Sequence, residues 1–146
     1  MSKRLTHPTR LLPALLMLAV SLSVSPAQAG WVPVTRDGDA QAELFRTYID
    51  AKSIVRKGEH VSLRVLMNYR EPSEEGIASA VGVNEFDCVN DRMRSRSVTA
   101  YGEPDGKGRV IREFKSVGAW SRVQPGTINE ALLESACDFY PQWWSE

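Results

Sequence analysis

Arginines recur at positions 92, 94 and 96. On an extended strand successive side chains point to opposite faces, so Arg92, Arg94 and Arg96 share one face. Three guanidinium groups in a row suit carboxylates or sulfated sugars, which each can hold through paired hydrogen bonds. A solvated outer sheet face accounts for the same spacing. Phe139, Tyr140, Trp143 and Trp144 make the C-terminus aromatic. Trp and Tyr are enriched at interfaces, although this tail can equally pack back onto its own domain. The arginine row, with Trp143 and Trp144, supplies the candidate binding residues.

Groups for catalysis are scarce. Beyond residue 29 the only histidine is His60. A tetrahedral metal site needs three or four converging ligands, so no metal or other cofactor is expected. A Ser-His-Asp set would have to use His60, and no serine lies in a Gly-x-Ser-x-Gly elbow. Glu74, Glu75, Asp91 and Asp105 are available as paired carboxylates, yet they fall in predicted loops, where solvated charges are ordinary. Only three residues separate Gly102 from Gly106-Lys107, one fewer than a phosphate loop requires. The expectation is a protein that is not an enzyme.

The N-terminus carries an address. Lys3, Arg4 and Arg10 are followed by an almost wholly apolar run, Leu11 to Val24, and then by Ala27-Gln28-Ala29. A basic start, an apolar centre and a small-x-small site form a secretory signal. The run falls short of the roughly 20 residues that span a bilayer, so no stable membrane insertion is expected after cleavage. No cysteine marks a lipoprotein site there. Residues 30–146 then hold 15 basic and 18 acidic residues, a formal charge of −3. A nucleic-acid partner would call for a basic excess. Cys88 and Cys137 are the only cysteines. An even number in an exported chain points to a disulfide, two free buried thiols being the alternative.

The elements that must position these groups are read from periodicity. Trp31 to Thr35 and Glu43 to Ile49 favour strands. Asp50 to Ser53 is expected to turn tightly, because Asp and Ser side chains bond their own backbone. Val61, Leu63, Val65, Met67 and Tyr69 alternate with His60, Ser62, Arg64, Leu66 and Asn68, the period of a strand with one apolar face. Ala78 to Asp87, Arg92 to Tyr101 and Arg109 to Lys115 extend the pattern, with a hairpin loop over Gly102 to Gly108. If no bulge interrupts the strand, Val98 and Ala100 share the arginine face and Met93 is buried opposite. Thr127 and Glu130 fit a capping box, and Ile128, Leu132, Leu133, Ala136 and Cys137 recur at helical spacing. The expectation is one α+β domain over residues 30–146: a mostly antiparallel sheet of about six strands, with one C-terminal helix packed on it.

Several short pieces resemble one family. They are Tyr48-Ile49-Asp50 with Ser53-Ile54, Glu85-Phe86-Asp87-Cys88, Arg92 and Arg94, Ala100-Tyr101, and Gly106-Lys107-Gly108. Trp120, Val123, Pro125-Gly126-Thr127 and Cys137 complete the order. Together they make residues 31–137 resemble the bacterial surface-adhesin protein E family. The resemblance implies an antiparallel sheet, a helix stapled to it by the disulfide, and a dimer as an available assembly. It also implies an adhesin-like domain binding a protein ligand, such as a host matrix or envelope protein; the signal peptide, cleaved near Ala29, sets the expected location as periplasmic or secreted to the cell surface. A small periplasmic inhibitor or envelope-stress protein is the alternative, with Glu71 to Gly76 or Gly102 to Gly108 as the loop entering an enzyme. N-terminal sequencing of the exported protein should begin at Gly30; a mature species retaining Leu11 to Val24 would contradict the signal-peptide reading.

Overall fold

The computed structural model describes residues 30–35 and 40–138. Seven antiparallel strands make one sheet: β1 (Trp31–Pro33), β2 (Phe45–Lys57), β3 (His60–Tyr69), β4 (Ser79–Asp87), β5 (Arg92–Glu103), β6 (Lys107–Phe114) and β7 (Ser121–Arg122). The order across the sheet is β1-β2-β3-β4-β5-β6, and the two-residue β7 pairs with β5. Each main strand therefore pairs with its neighbours in sequence, as short turns dictate. One helix, α1 (Ile128–Asp138), follows. The expected α+β architecture of about six strands and one C-terminal helix is the one observed.

Alternation sets the two faces. Val61, Leu63 and Val65 of β3 point to the helix and form the core with Ile49, Phe86, Leu132 and Ala136. Met93 packs against the same cluster. Cys88 at the end of β4 is bonded to Cys137 near the end of α1. Thr127 caps the helix by accepting from the Glu130 amide at 3.4 Å. The Glu130 carboxylate accepts from the Gly126 amide at 2.8 Å. The reciprocal arm of the capping box therefore reaches one residue further back than the usual pattern.

One expected turn is not a turn. β2 runs unbroken from Phe45 to Lys57, and the chain reverses only at Gly58-Glu59. The residues expected to reverse it, Asp50 to Ser53, instead form a bulge: Asp50 pairs with Arg64 and Val55 with Ser62. The side-chain chemistry is the one anticipated. Asp50 accepts from the Lys52 amide at 3.1 Å, and the Ser53 hydroxyl donates to the Asp50 carbonyl at 2.7 Å. The Ser53 oxygen also accepts from the Arg64 amide of the neighbouring strand at 2.8 Å, so the local bonds are absorbed into the ladder. Long pairing on both sides of the bulge outweighs the local preference.

A second bulge decides which side chains share the arginine face. Val83 pairs with Ser97 and Asn84 with Ser95, leaving Arg96 as the extra residue of β5. Gly82 permits this close approach, since a Cβ there would stand 2.9 Å from the Ser97 carbonyl oxygen. Beyond the bulge Val98 and Ala100 pair with Gly82 and Ala80 and so lie on the helix-bearing side, not beside the arginines.

Breaking the staple should be costly. The Cys88–Cys137 bond spans 49 residues, and loss of such a bond from a small disulfide-closed domain removes about 2–5 kcal/mol. Denaturant unfolding of Cys88→Ser should show that loss, and intact mass should show no alkylation of the wild-type protein before reduction.

Candidate binding face

The face of the sheet opposite α1 carries a lattice of charges under one tryptophan. Glu85 and Asp87 of β4 lie opposite Arg94 and Arg92 of β5. Two carboxylates spaced by two thus meet two guanidinium groups spaced by two. Arg92 donates to Asp87 Oδ2 at 2.6 Å through Nη2 and at 3.2 Å through Nε. Arg94 reaches Glu85 Oε2 at 2.7 Å. Arg96, carried out by the bulge, lies 3.4 Å from the same oxygen.

Asp87 is 1% exposed. It also accepts from the Asn90 side chain at 3.0 and 3.1 Å and from the Val89 and Asn90 amides at 3.2 and 3.1 Å. The Arg92 bond, followed by those of Asn90, holds its pKa far below the usual carboxylate range. Glu85 is lowered as well, chiefly by its hydrogen bond from Arg94, with burial opposing and the charges of Arg94, Arg96 and His60 assisting.

Trp120 closes the lattice from above. The segment after β6 runs along the edge of β5, where the Gly118 amide donates to the Ser95 carbonyl at 2.8 Å. Ser121 then pairs with Met93 on the helix side, so Trp120, one residue earlier, turns to the other face. Its ring lies 4.4 Å from the Arg94 guanidinium carbon, 5.6 Å from that of Arg92 and 5.0 Å from the His60 ring. The two arginine separations suit cation–π attraction, while the His60 ring packs tilted against the same indole. His60 is half-exposed and stands 3.9 Å from both Glu85 and Asp87, which ties it to the lattice more closely than a solvated surface histidine. A second, smaller pair repeats the theme on the same face, nearer the β1 edge: Arg64 meets Asp50 at 3.4 Å and lies 5.5 Å from the Trp31 ring.

Two neighbouring features complete the face. Beside Arg92, an open hollow of about 500 Å³ is lined by Val89, Asn90, Asp91, Arg92 and Arg122. The loop between β5 and β6 is tied down on the sheet. The Asn68 side chain donates to Asp105 Oδ1 and accepts from the Asp105 amide, each at 2.8 Å, and Ser79 bonds the Glu103 carbonyl and the Gly106 amide. Glu75, from the Glu71 to Gly76 loop, is held by Arg112 at 2.8 Å. Both loops are nevertheless exposed, over Glu71 to Glu75 in one and Glu103 to Asp105 in the other. Among the described residues no group of three or more His, Cys, Asp or Glu is arranged to hold a metal ion, and no helix is long and apolar enough to cross a membrane.

The family model described as surface-adhesin protein E matches residues 31–138. The chain belongs to the surface-adhesin protein E family. Solved structures agree in fold. Crystal form II of Haemophilus influenzae protein E is 17% identical, with a TM-score of 0.58 over 80% of this chain and 94% of that one. The Se-Met form from the same organism is also 17% identical, with a TM-score of 0.57 over 81% and 93%. Protein E from non-typeable Haemophilus influenzae is 16% identical, with a TM-score of 0.54 over 80% of each chain. At such identity these likenesses speak to the fold alone. No curated protein matches the chain.

Of the residues picked out from the sequence, Arg92, Arg94 and Arg96 come together on one face. They do so as partners of Glu85 and Asp87, not as three unpaired cations. Trp143 and Trp144 lie outside the described residues. Two features escaped the reading of binding groups: the carboxylates beneath the row, and Trp120 above it. The first had a signal. Glu85 and Asp87 are two apart on one arm of a hairpin whose other arm spaces its arginines by two. Trp120 had none beyond the family resemblance, because its place depends on how the segment after β6 folds back.

The two carboxylates make stability acid-sensitive. Their folded pKa values lie below those of the unfolded chain. Their contribution is therefore complete above about pH 4, the unfolded carboxylate range, and is lost as pH falls through the lowered folded values. Thermal unfolding followed by circular dichroism should show the midpoint dropping below about pH 4. Asp87→Asn should lower the midpoint at neutral pH and flatten that acid dependence.

Proposed function

We propose that this family member is an exported, non-enzymatic envelope protein. It acts in the periplasm or at the cell surface after cleavage near Ala29, and it binds a protein ligand, from the host matrix or the envelope, across its helix-free face. The observation that carries this reading is Trp120 held above Arg92 and Arg94. Trp and Arg dominate the energetics of protein interfaces, where rigid, partly desolvated side chains lose little entropy on binding. Here the arginines are already oriented by Glu85 and Asp87, and the tryptophan by the arginines. The surface is therefore organised before any ligand arrives.

The pairing changes what the arginine row contributes. Arg92 and Arg94 are each matched by a carboxylate, and Arg96 is the excess cation sharing Glu85. The row offers fixed donors and one net charge, enough for salt-sensitive contact with an acidic or sulfated ligand. Removing all three arginines would strand two buried carboxylates, a costly change for the fold. The informative variants are Trp120→Ala and Arg96→Ala.

Arg96→Ala leaves Glu85 paired with Arg94 and should cost less than about 1 kcal/mol of stability. With immobilised heparin as the acidic probe, wild-type retention should fall as salt rises, and Trp120→Ala combined with Arg96→Ala should weaken it by about tenfold or more. Unchanged retention by a variant with native circular dichroism would remove this face from the binding role. Protease shaving of intact cells separates the compartments: digestion supports surface display, and protection supports the periplasm.

A further inference from the structure

The sheet ends in a strand unlike the others. β6 (Lys107–Phe114) pairs with β5 along one edge, and no strand pairs with its other edge among the described residues. Apart from half-buried Ile111, every residue of β6 is exposed. Such an edge presents unpaired backbone donors and acceptors. It is also strongly basic. Lys107, Arg109, Arg112 and Lys115 face a single acid, Glu113, for a net +3 over nine residues, whereas residues 30–146 carry −3 overall. Arg112 is matched by Glu75 at 2.8 Å and Lys115 by Glu113 at 3.1 Å. Lys107 and Arg109 carry no ion pair or side-chain hydrogen bond among the described residues.

Apolar contact is on offer on both faces of this edge. Val110 is 55% exposed and lies opposite Tyr101 on the helix-free side; Phe114 is 54% exposed and lies opposite Val98 on the helix side. The two face opposite ways despite their even spacing because Ile111 is an extra residue in β6.

We infer that the outer edge of β6 accepts an extended acidic segment of a partner protein as an added strand. Backbone hydrogen bonds would supply the affinity, and the basic side chains would select the partner's charge. Basic residues on an edge strand are commonly a guard against self-association. That role is compatible with this one and favours it over a second copy: pairing two β6 edges brings +3 against +3, while an acidic strand reverses the sign of the same interaction. The inference is independent of the Trp120 face, which lies on the surface of the sheet and not at its edge.

The test uses the purified exported protein and a labelled peptide of roughly ten residues, the length of a long strand, alternating Glu with Val. Fluorescence anisotropy should show salt-sensitive binding of this peptide and none of its Lys-Val counterpart. Methylating alternate backbone nitrogens, in two probes of opposite phase, should leave one probe binding and disable the other, since only one set of amides faces β6. Lys107→Glu combined with Arg109→Glu should weaken binding by about tenfold or more, and Trp120→Ala should leave it unchanged. Absence of binding by the acidic peptide would overturn the inference. Equal binding of both methylated probes would do the same, reducing the effect to charge attraction. So would a dimer in sedimentation velocity that the double charge reversal dissociates and the peptide does not, because a second copy would then own the edge.

Discussion

The buried carboxylate of Asp87 is the constraint on which the rest of the domain leans. A carboxylate that is 1% exposed must be compensated by a cation and by hydrogen bonds, or it destabilises the fold. Asp87 is met by Arg92 from β5, and by the Asn90 side chain and the amides of the tight turn that follows it. Satisfying one side chain thus shapes the turn between β4 and β5. It also sets the register in which Phe86 faces Met93 and Glu85 faces Arg94. Asp91 adopts a left-handed conformation, φ 51°, to close that turn, a region that Asp tolerates better than most residues. Cys88, one residue beyond Asp87, leaves the strand where the end of α1 can reach it.

Four consecutive residues, Glu85-Phe86-Asp87-Cys88, therefore serve different parts of the molecule. Phe86 is fully buried in the helix-side core, Cys88 joins the helix covalently, and Glu85 and Asp87 hold the arginines on the opposite face. The pleat separates these roles by direction, not by distance. This explains why a sheet covered on one face by a helix has a partly buried polar interior on the other. The carboxylates lie under their own arginines and under Trp120, so the helix-free face is a built surface and not merely a solvated one.

Much of this architecture was legible in the sequence. The period-two alternation of β3, the helical spacing after Thr127 and the lone pair of cysteines determined an antiparallel sheet with a stapled C-terminal helix, because each is a local or covalent property of the chain. The arginine row was legible as a row for the same reason. Tertiary structure decided the remainder. Whether Asp50 to Ser53 turns the chain or bulges it depends on pairing with β3, which a local preference cannot foresee. Whether Val98 joins the arginines depends on one extra residue in β5 and on the room that Gly82 leaves for it. Whether the arginines stand free or are neutralised depends on which residues of β4 lie across from them. Trp120 reaches the face only because the chain after β6 returns along the edge of β5. Periodicity reports which side of an element a residue occupies; register and chain return decide what waits for it there, and they are settled by the energetics of the whole sheet.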